Sequence, residues 1–348
     1  MKVSKHVIRM GWSILLGATG LFCSLGAAQA EDKAAITDRL HRVEELNRID
    51  DSSITPWHLK LSFRLMDAKG HPAEQGTIEE WWKSPSVHKV VFNSTSYSGT
   101  EIQTADGLFR TKDISSAPYL LGLVLQQVVH PLLDEDMQDG TPDLRKQDFG
   151  KVPLDCVMIS QPIKNVAYPP LGLFPTYCLD RDKDVLRASY NFGAQTVLRN
   201  NIGAFQKRMV PLNQIVQLNS TVAITAHVDE LRGSAQSDSE FATTNLQRID
   251  KDATDVASGV MQGRALSQAK PVYPDRAKYN HVSGTVRLGA RIGTDGRVHS
   301  LKLVSVPDPD LAIAAVAAVR QWTYQPYLLN GVPVEVQTEI TVNFQFGP

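Results

Sequence analysis

The end of the chain sets the tightest limit on its fold. Val334, Val336, Thr338, Ile340, Val342, Phe344 and Phe346 alternate with Glu335, Gln337, Glu339, Thr341, Asn343 and Gln345. A period of two is that of a strand with one buried and one wet face, and a helix cannot satisfy it. So long a strand needs partners, and they lie close by. Val286, Leu288, Ala290 and Ile292 alternate with Thr285, Arg287, Gly289 and Arg291. Gly293-Thr294-Asp295-Gly296 makes a turn, and Val298, Leu301 and Leu303 continue as a hairpin. Asp308-Pro309-Asp310 is a helix start: a capping carboxylate, a proline in the first turn and a second acid at the positive end of the helix dipole. The helix is expected to run to about Trp322. Its alanines (312, 314, 315, 317 and 318) let it lie close to the hairpin, while Leu311, Val319 and Trp322 fill the contact. Lys270-Pro271-Val272-Tyr273-Pro274 holds the chain extended before a short helix at 275–279, and Asn330-Gly331 turns it into the last strand. Residues 258–348 therefore read as a small domain with an antiparallel sheet and one packed helix.

The same period governs an earlier stretch, where Trp57, Leu59, Leu61, Phe63 and Leu65 alternate with His58, Lys60, Ser62 and Arg64. Strand-like runs follow at 76–83, 87–94, 100–104, 108–111, 154–160, 176–179, 186–192, 195–198, 204–211 and 214–228. Ile36, Leu40, Val43 and Leu46 share one helical face ahead of them. Tyr119–Val129, apolar on most sides, suits a buried helix. Residues 31–232 thus form one antiparallel β-rich domain with helices at its start and middle, and the whole chain is of the α+β class. Residues 233–257, rich in Ser, Asp, Ala and Thr with Phe241 as the one aromatic, read as a polar linker.

At the N-terminus, Lys2, Lys5 and Arg9 precede an uncharged run from Met10 to Ala30 that ends Ala28-Gln29-Ala30, a secretory signal (1–30) with cleavage expected between Ala30 and Glu31. The competing reading is an uncleaved inner-membrane anchor. Bulky Phe22 before Cys23 argues against lipidation. Removing the signal leaves Cys156 and Cys178, an even pair that in an exported chain reads as a disulfide; a metal or redox pair is the competing reading, and the spacing and lack of an adjacent His speak against it. A formal charge of -1, from 36 basic and 37 acidic residues, leaves no cationic surplus for nucleic acid. For catalysis or metal the candidates are His227 with Asp229 and Glu230, and Glu79-Glu80 with His88. Two ligands do not make a metal site, and solvated strand positions explain both groups. Neither an enzyme, a cofactor nor a metal is expected.

Several pieces now stand in one order: Pro271-Val272-Tyr273-Pro274, Gly284-Thr285-Val286, Thr294-Asp295-Gly296 with Val298, Ala315 to Trp322 as Ala-x-x-Ala-Val-Arg-x-Trp, Tyr324-Gln325-Pro326, and Asn330-Gly331. Together they resemble the C-terminal domain of the TonB energy-transducer family. The resemblance implies a partner, an outer-membrane receptor or other envelope protein, that donates an extended peptide to the sheet edge. The receiving positions it implies are Lys270, Pro271, Tyr273 and Pro274, and in the last strand Val336, Thr338, Ile340 and Val342. A cleavable signal and a linker without proline depart from the family, so energy transduction does not follow. The first domain loosely resembles the outer-membrane lipoprotein carriers, which implies a curved sheet under a helical lid that takes up lipid acyl chains. Trp57, Leu59, Leu61 and Phe63 would then line an apolar cavity; the competing reading is a packed core. A periplasmic location is expected.

Overall fold

The computed structural model describes residues 21–348 except 115, 133–136, 138–139, 150–151, 164–165, 193–194, 219, 250–252, 330 and 348. Most of the expected signal segment lies outside them, and helix α1 (Leu21–Asn47) spans the expected junction at Ala30 and Glu31. Among the described residues no helix is long and apolar enough to cross a membrane.

Five strands follow α1: β1 (Trp57–Met66), β2 (Pro72–Ser84), β3 (Val87–Ser94), β4 (Ser98–Thr104) and β5 (Gly107–Thr111). Helix α2 (Tyr119–Val129) separates them from β6 (Thr141–Phe149), β7 (Val152–Ser160), β8 (Thr176–Asp180), β9 (Leu186–Asn191), β10 (Gln195–Phe205), β11 (Arg208–Leu218) and β12 (Thr221–Gly233). With β13 (Leu246–Ile249) they make one 13-stranded sheet in the order β13-β5-β4-β3-β2-β1-β12-β11-β10-β9-β8-β7-β6. Two meanders are joined where β1 pairs with β12, so the central seam is the pairing most distant in sequence. The inward row of β1 packs under α2: Leu121, Val124 and Val128 of the helix are fully buried, as are Trp57, Leu59 and Leu61. A second cluster seats Leu40 and Val43 of α1 on Val157, Tyr177, Leu179 and Leu186.

The strand limits read from 204–211 and 214–228 are corrected. The chain reverses at Gln206-Lys207, with φ of 45° and 67°, and again beside Ser220, with φ of 66°. Neither turn carries the Asn-Gly or Gly that normally announces left-handed backbone. Tertiary contacts hold the first: Gln206 Oε1 accepts from Thr55 N at 2.9 Å and Thr55 Oγ1 at 2.8 Å, and its Nε2 donates to Thr55 O at 3.0 Å. Strand β6 also escaped the sequence pattern, because this edge strand is polar or half-exposed on both faces.

The polar segment 233–257 is not a free linker. Phe241 is buried in a 3-10 turn (Asp238–Phe241), β13 adds to the β5 edge, and β14 (Ala253–Asp255) pairs in parallel with the last strand. Its composition predicts little burial, yet strand pairing uses main-chain groups that every residue carries.

After α3 (Ser258–Gln262), β15 (Ala265–Ser267) and α4 (Asp275–Tyr279) comes the expected hairpin, β16 (Gly284–Ile292) and β17 (Val298–Ser305). Helix α5 (Pro309–Val319), the short strands β18 (Thr323–Tyr324), β19 (Leu328–Leu329) and β20 (Val332–Pro333), and β21 (Glu335–Phe344) complete the chain. The second sheet has the order β14-β21-β16-β17. Asp308 caps α5 as expected, its Oδ1 accepting from Asp310 N at 2.9 Å and Leu311 N at 3.2 Å. Ala312 and Ala315 are fully buried at the helix–sheet contact. The two domains touch: Phe174 and Phe192 join the cluster built around Leu288 and Leu311, and Tyr119 stacks on His299 at 5.3 Å.

The hairpin turn contains one position where only glycine fits. Gly296 has φ of 73°, and a Cβ there would lie 1.9 Å from the carbonyl oxygen of Tyr324, whose N–H donates to Gly296 O at 2.7 Å. Gly296→Ala is expected to cost about 1–3 kcal/mol through backbone strain and the displaced strand β18, read as a lower urea midpoint. An unchanged midpoint would contradict this geometry.

Candidate peptide-binding edge

Strand β21 has two different sides. On one it pairs with β16 along its whole length, from Ile292↔Val336 to Gly284↔Phe344. On the other, β14 covers only Glu335 to Gln337, closing with Val256 N donating to Gln337 O at 2.9 Å. That bond fixes the phase: main-chain groups of odd-numbered residues point away from β16, because hydrogen-bonding direction alternates along a strand. Past β14 the chain turns into helix α3, which also contacts β21, and Glu339, Thr341 and Asn343 present N–H and C=O groups on a side that no described strand pairs.

The side chains named from sequence sit elsewhere. Val336, Thr338, Ile340 and Val342 point inward and are 8 % exposed or less, so they form the core under α5. Thr338 Oγ1 has no hydrogen-bond partner there. The opposite face of the sheet is charged and ordered: Arg287 grips Glu339 through two bonds of 2.7 Å, Arg291 bonds Glu335 at 2.9 Å, and Thr285 donates to Asn343 at 2.8 Å. The first two hold the polar face of the strand flat beside the open edge, where a partner backbone could lie.

The proline motif meets the far end of the same strand. Trp322 Nε1 donates to Ala269 O at 2.9 Å, just before exposed Lys270 and half-buried Pro271. Tyr273 donates its hydroxyl to Val282 O and sets its ring edge-on to Phe344 at 5.6 Å, with Pro274 opening α4 as its N-cap. Val272 and Tyr279 are more than four-fifths exposed and Phe346 nearly half, which leaves an apolar rim there. The structure thus places Tyr273 of the proline motif against Phe344 and Phe346 at the end of the last strand. Sequence reasoning named the strand but chose its inward residues; the alternation it used already distinguished the odd-numbered set, and only the position of β14 shows which edge is open.

Nearby charge is held by a half-buried imidazole. Burial disfavours the His299 cation, but bonds to Asp295 at 3.0 Å and attraction to Glu335 outweigh it and raise the group to about 9.

In the first domain, Trp57, Leu59, Leu61 and Phe63 are packed core. Trp57 stacks on Trp82 at 5.8 Å and donates Nε1–H to Ile49 O at 2.7 Å. Leu121, Val124 and Val128 of α2 belong to the same cluster, and Phe63 also borders a cleft of about 920 Å³. The Cys156–Cys178 disulfide is present, joining directly paired residues of β7 and β8. His227 bonds Asn213 at 2.7 Å, Asp229 accepts from Ser62 at 2.9 Å, and Glu230 pairs with Arg232. Glu79 faces outward to His58 and Lys60, while Glu80 and His88 face inward. Among the described residues no group of three or more His, Cys, Asp or Glu could hold a metal ion.

The order of these pieces in the second domain has a counterpart among known proteins. Residues 269–346 match the family model of the Gram-negative bacterial TonB protein C-terminal. Protein TonB of Klebsiella pneumoniae is 36% identical over 63 residues, 18% of this chain and 26% of that protein, so the match spans about a quarter of its length. The solution structure of the Pseudomonas aeruginosa TonB C-terminal domain is 24% identical, with 24% of this chain and 87% of that one covered and a TM-score of 0.22. A LolA superfamily protein from Nitrosomonas europaea aligns over 58% of this chain and 96% of its own at 13% identity and a TM-score of 0.38. The TonB-like region coincides with the sheet that carries the open edge of β21.

Proposed function

We propose that this chain is a periplasmic envelope protein whose TonB-like domain captures an extended peptide of an outer-membrane receptor or similar partner by strand addition. The observation that carries the reading is the unpaired edge from Glu339 to Asn343. A strand laid there would extend the sheet beyond the short β14, using main-chain bonds for affinity and the apolar rim of Val272 and Phe346 for side-chain contacts. Lys270, Pro271, Tyr273 and Pro274 shape that rim. The match to TonB proteins supports the mode of binding and leaves their energised transport outside the reading.

Thr341→Pro tests it. Proline removes the outward N–H of Thr341 while the inward bonds of Ile340 and Val342 to β16 remain, which is where an edge strand tolerates it. Labelled peptides from the N-terminal plugs of the host's receptors, followed by anisotropy and by amide shifts of the full chain, should bind the wild type and lose at least about tenfold in affinity in the variant, with thermal stability nearly kept. Shifts that avoid 339–343, or equal affinity for the folded variant, would remove the proposal.

A further inference from the structure

A cavity of about 360 Å³ lies where the loop after α1 meets β2, β3 and the last turns of α2. Trp82, Val90, Leu125 and Val129 give it apolar walls. At its inner side stands Glu80, which is 4 % exposed and has no hydrogen-bonding group among the described residues to stabilise its carboxyl. The other carboxylates lining the cavity have partners: Asp50 pairs with Arg48 at 3.0 Å and hydrogen-bonds His130 at 3.1 Å, and Asp51 pairs with Arg208 at 2.8 Å. His88 Nδ1 is likewise buried without a partner. On the helix side Gly122 borders the space, and a Cβ built there meets nothing within 4 Å.

A buried carboxyl with no donor is costly and is rarely left so without use. We propose that this cavity binds a small primary ammonium carrying an apolar substituent, with Glu80 as its counter-ion. The chemistry selects that class. The carboxyl without a cation beside it is Glu80, so the ligand brings positive charge; an ammonium supplies three donors. The apolar part of the wall, Trp82, Val90, Leu125 and Val129, favours an apolar body, and the indole ring attracts a cation. A metal ion finds too few converging donors here, and the volume suits a single small molecule, not a diacyl lipid.

Binding has a defined proton balance. Glu80 is held neutral to about pH 8 by burial and by the nearby charge of Asp50. When the ammonium enters, the carboxyl O–H bond breaks, its proton leaves to solvent, and the ligand keeps its own protons. The groups facing the site are Glu44, Arg48, Asp50 and Asp51 from α1 and its following loop, His88 from β3 and His130 after α2. Burial holds the His88 imidazole below its ordinary value, and the test isolates Glu80 from these neighbours by substitution.

Calorimetric titration of the full chain with 2-phenylethylamine, and with 2-phenylethanol as a neutral ligand of equal length, does so. The amine's association constant should rise about tenfold or more per pH unit from pH 6 to 7.5, with a proton released in proportion to buffer ionisation heat. The alcohol should bind at least tenfold more weakly. Glu80→Gln should lower amine affinity at least tenfold and flatten the slope by close to one proton. Gly122→Leu, a good helix former in open space, should abolish binding by filling the cavity. Equal binding of alcohol and amine, a slope unchanged in Glu80→Gln, full binding by Gly122→Leu, or no binding by the wild type at millimolar amine would each overturn the assignment.

Discussion

Glu80→Gln is expected to stabilise the fold by an amount that grows with pH. Burial, with Asp50 adding like-charge repulsion, raises this carboxyl from 4.5 to about 8 in the folded chain. The unfolded chain loses the proton near 4.5, so between those values folding takes up a proton, which becomes harder as pH rises. The contribution of neutral Glu80 is fully present below about 4.5 and is lost as pH climbs through about 8. The slope is bounded by ~1.4 kcal/mol per pH unit, which makes the difference from the amide roughly 3 kcal/mol at pH 7. Urea denaturation of both proteins at pH 5, 6, 7 and 8 checks it. The midpoints should diverge steadily and level off above about 8. Parallel curves across that range would show that Glu80 is already ionised and solvated.

Loss of the Cys156–Cys178 bridge is the second large effect. Both cysteines are fully buried beside Leu154 and Ala188, at a sequence separation of 22. Closing a loop of that size removes unfolded-chain entropy worth about 3 kcal/mol. The bridge stands at one directly paired position of β7 and β8, so Cys156→Ala/Cys178→Ala leaves the ladder intact and acts mainly on the unfolded state. The double variant should keep the far-ultraviolet circular dichroism of the wild type and lose about 3 kcal/mol by urea denaturation. The fully reduced wild type should unfold at a similarly low midpoint. A midpoint equal to that of the oxidised protein would mean that the loop is already constrained by strand pairing when unfolding begins.

The lower edge of the second sheet shows how sequence and structure divide the information. Alternation in 334–346 separates the buried set from the exposed set before any coordinates are seen. It does not say that a parallel segment from 253–255 occupies the first third of the free edge, because the sequence Ala253-Thr254-Asp255 carries no apolar pattern, and strand pairing uses main-chain groups. The same holds for β13 on the first sheet and for the Gln206-Lys207 reversal, where a partner 151 residues away holds the left-handed turn. Local propensity misses each of these because the compensating contact is remote.

What the residues fixed by themselves was local and periodic: the strand in 334–346 and its inward face, the cap at Asp308, the glycine turn of the hairpin, the helix in 119–129 and the pairing of two cysteines. Periodicity and capping act over a few residues, so they are written directly in the chain. Tertiary structure alone decided which strand edge stays open, that Trp57 to Phe63 is filled by α2, and that Glu80, one residue from solvated Glu79, ends in a cavity without a partner. Those outcomes depend on what packs across a face, and burial of a charge or an edge is set by residues far away in sequence.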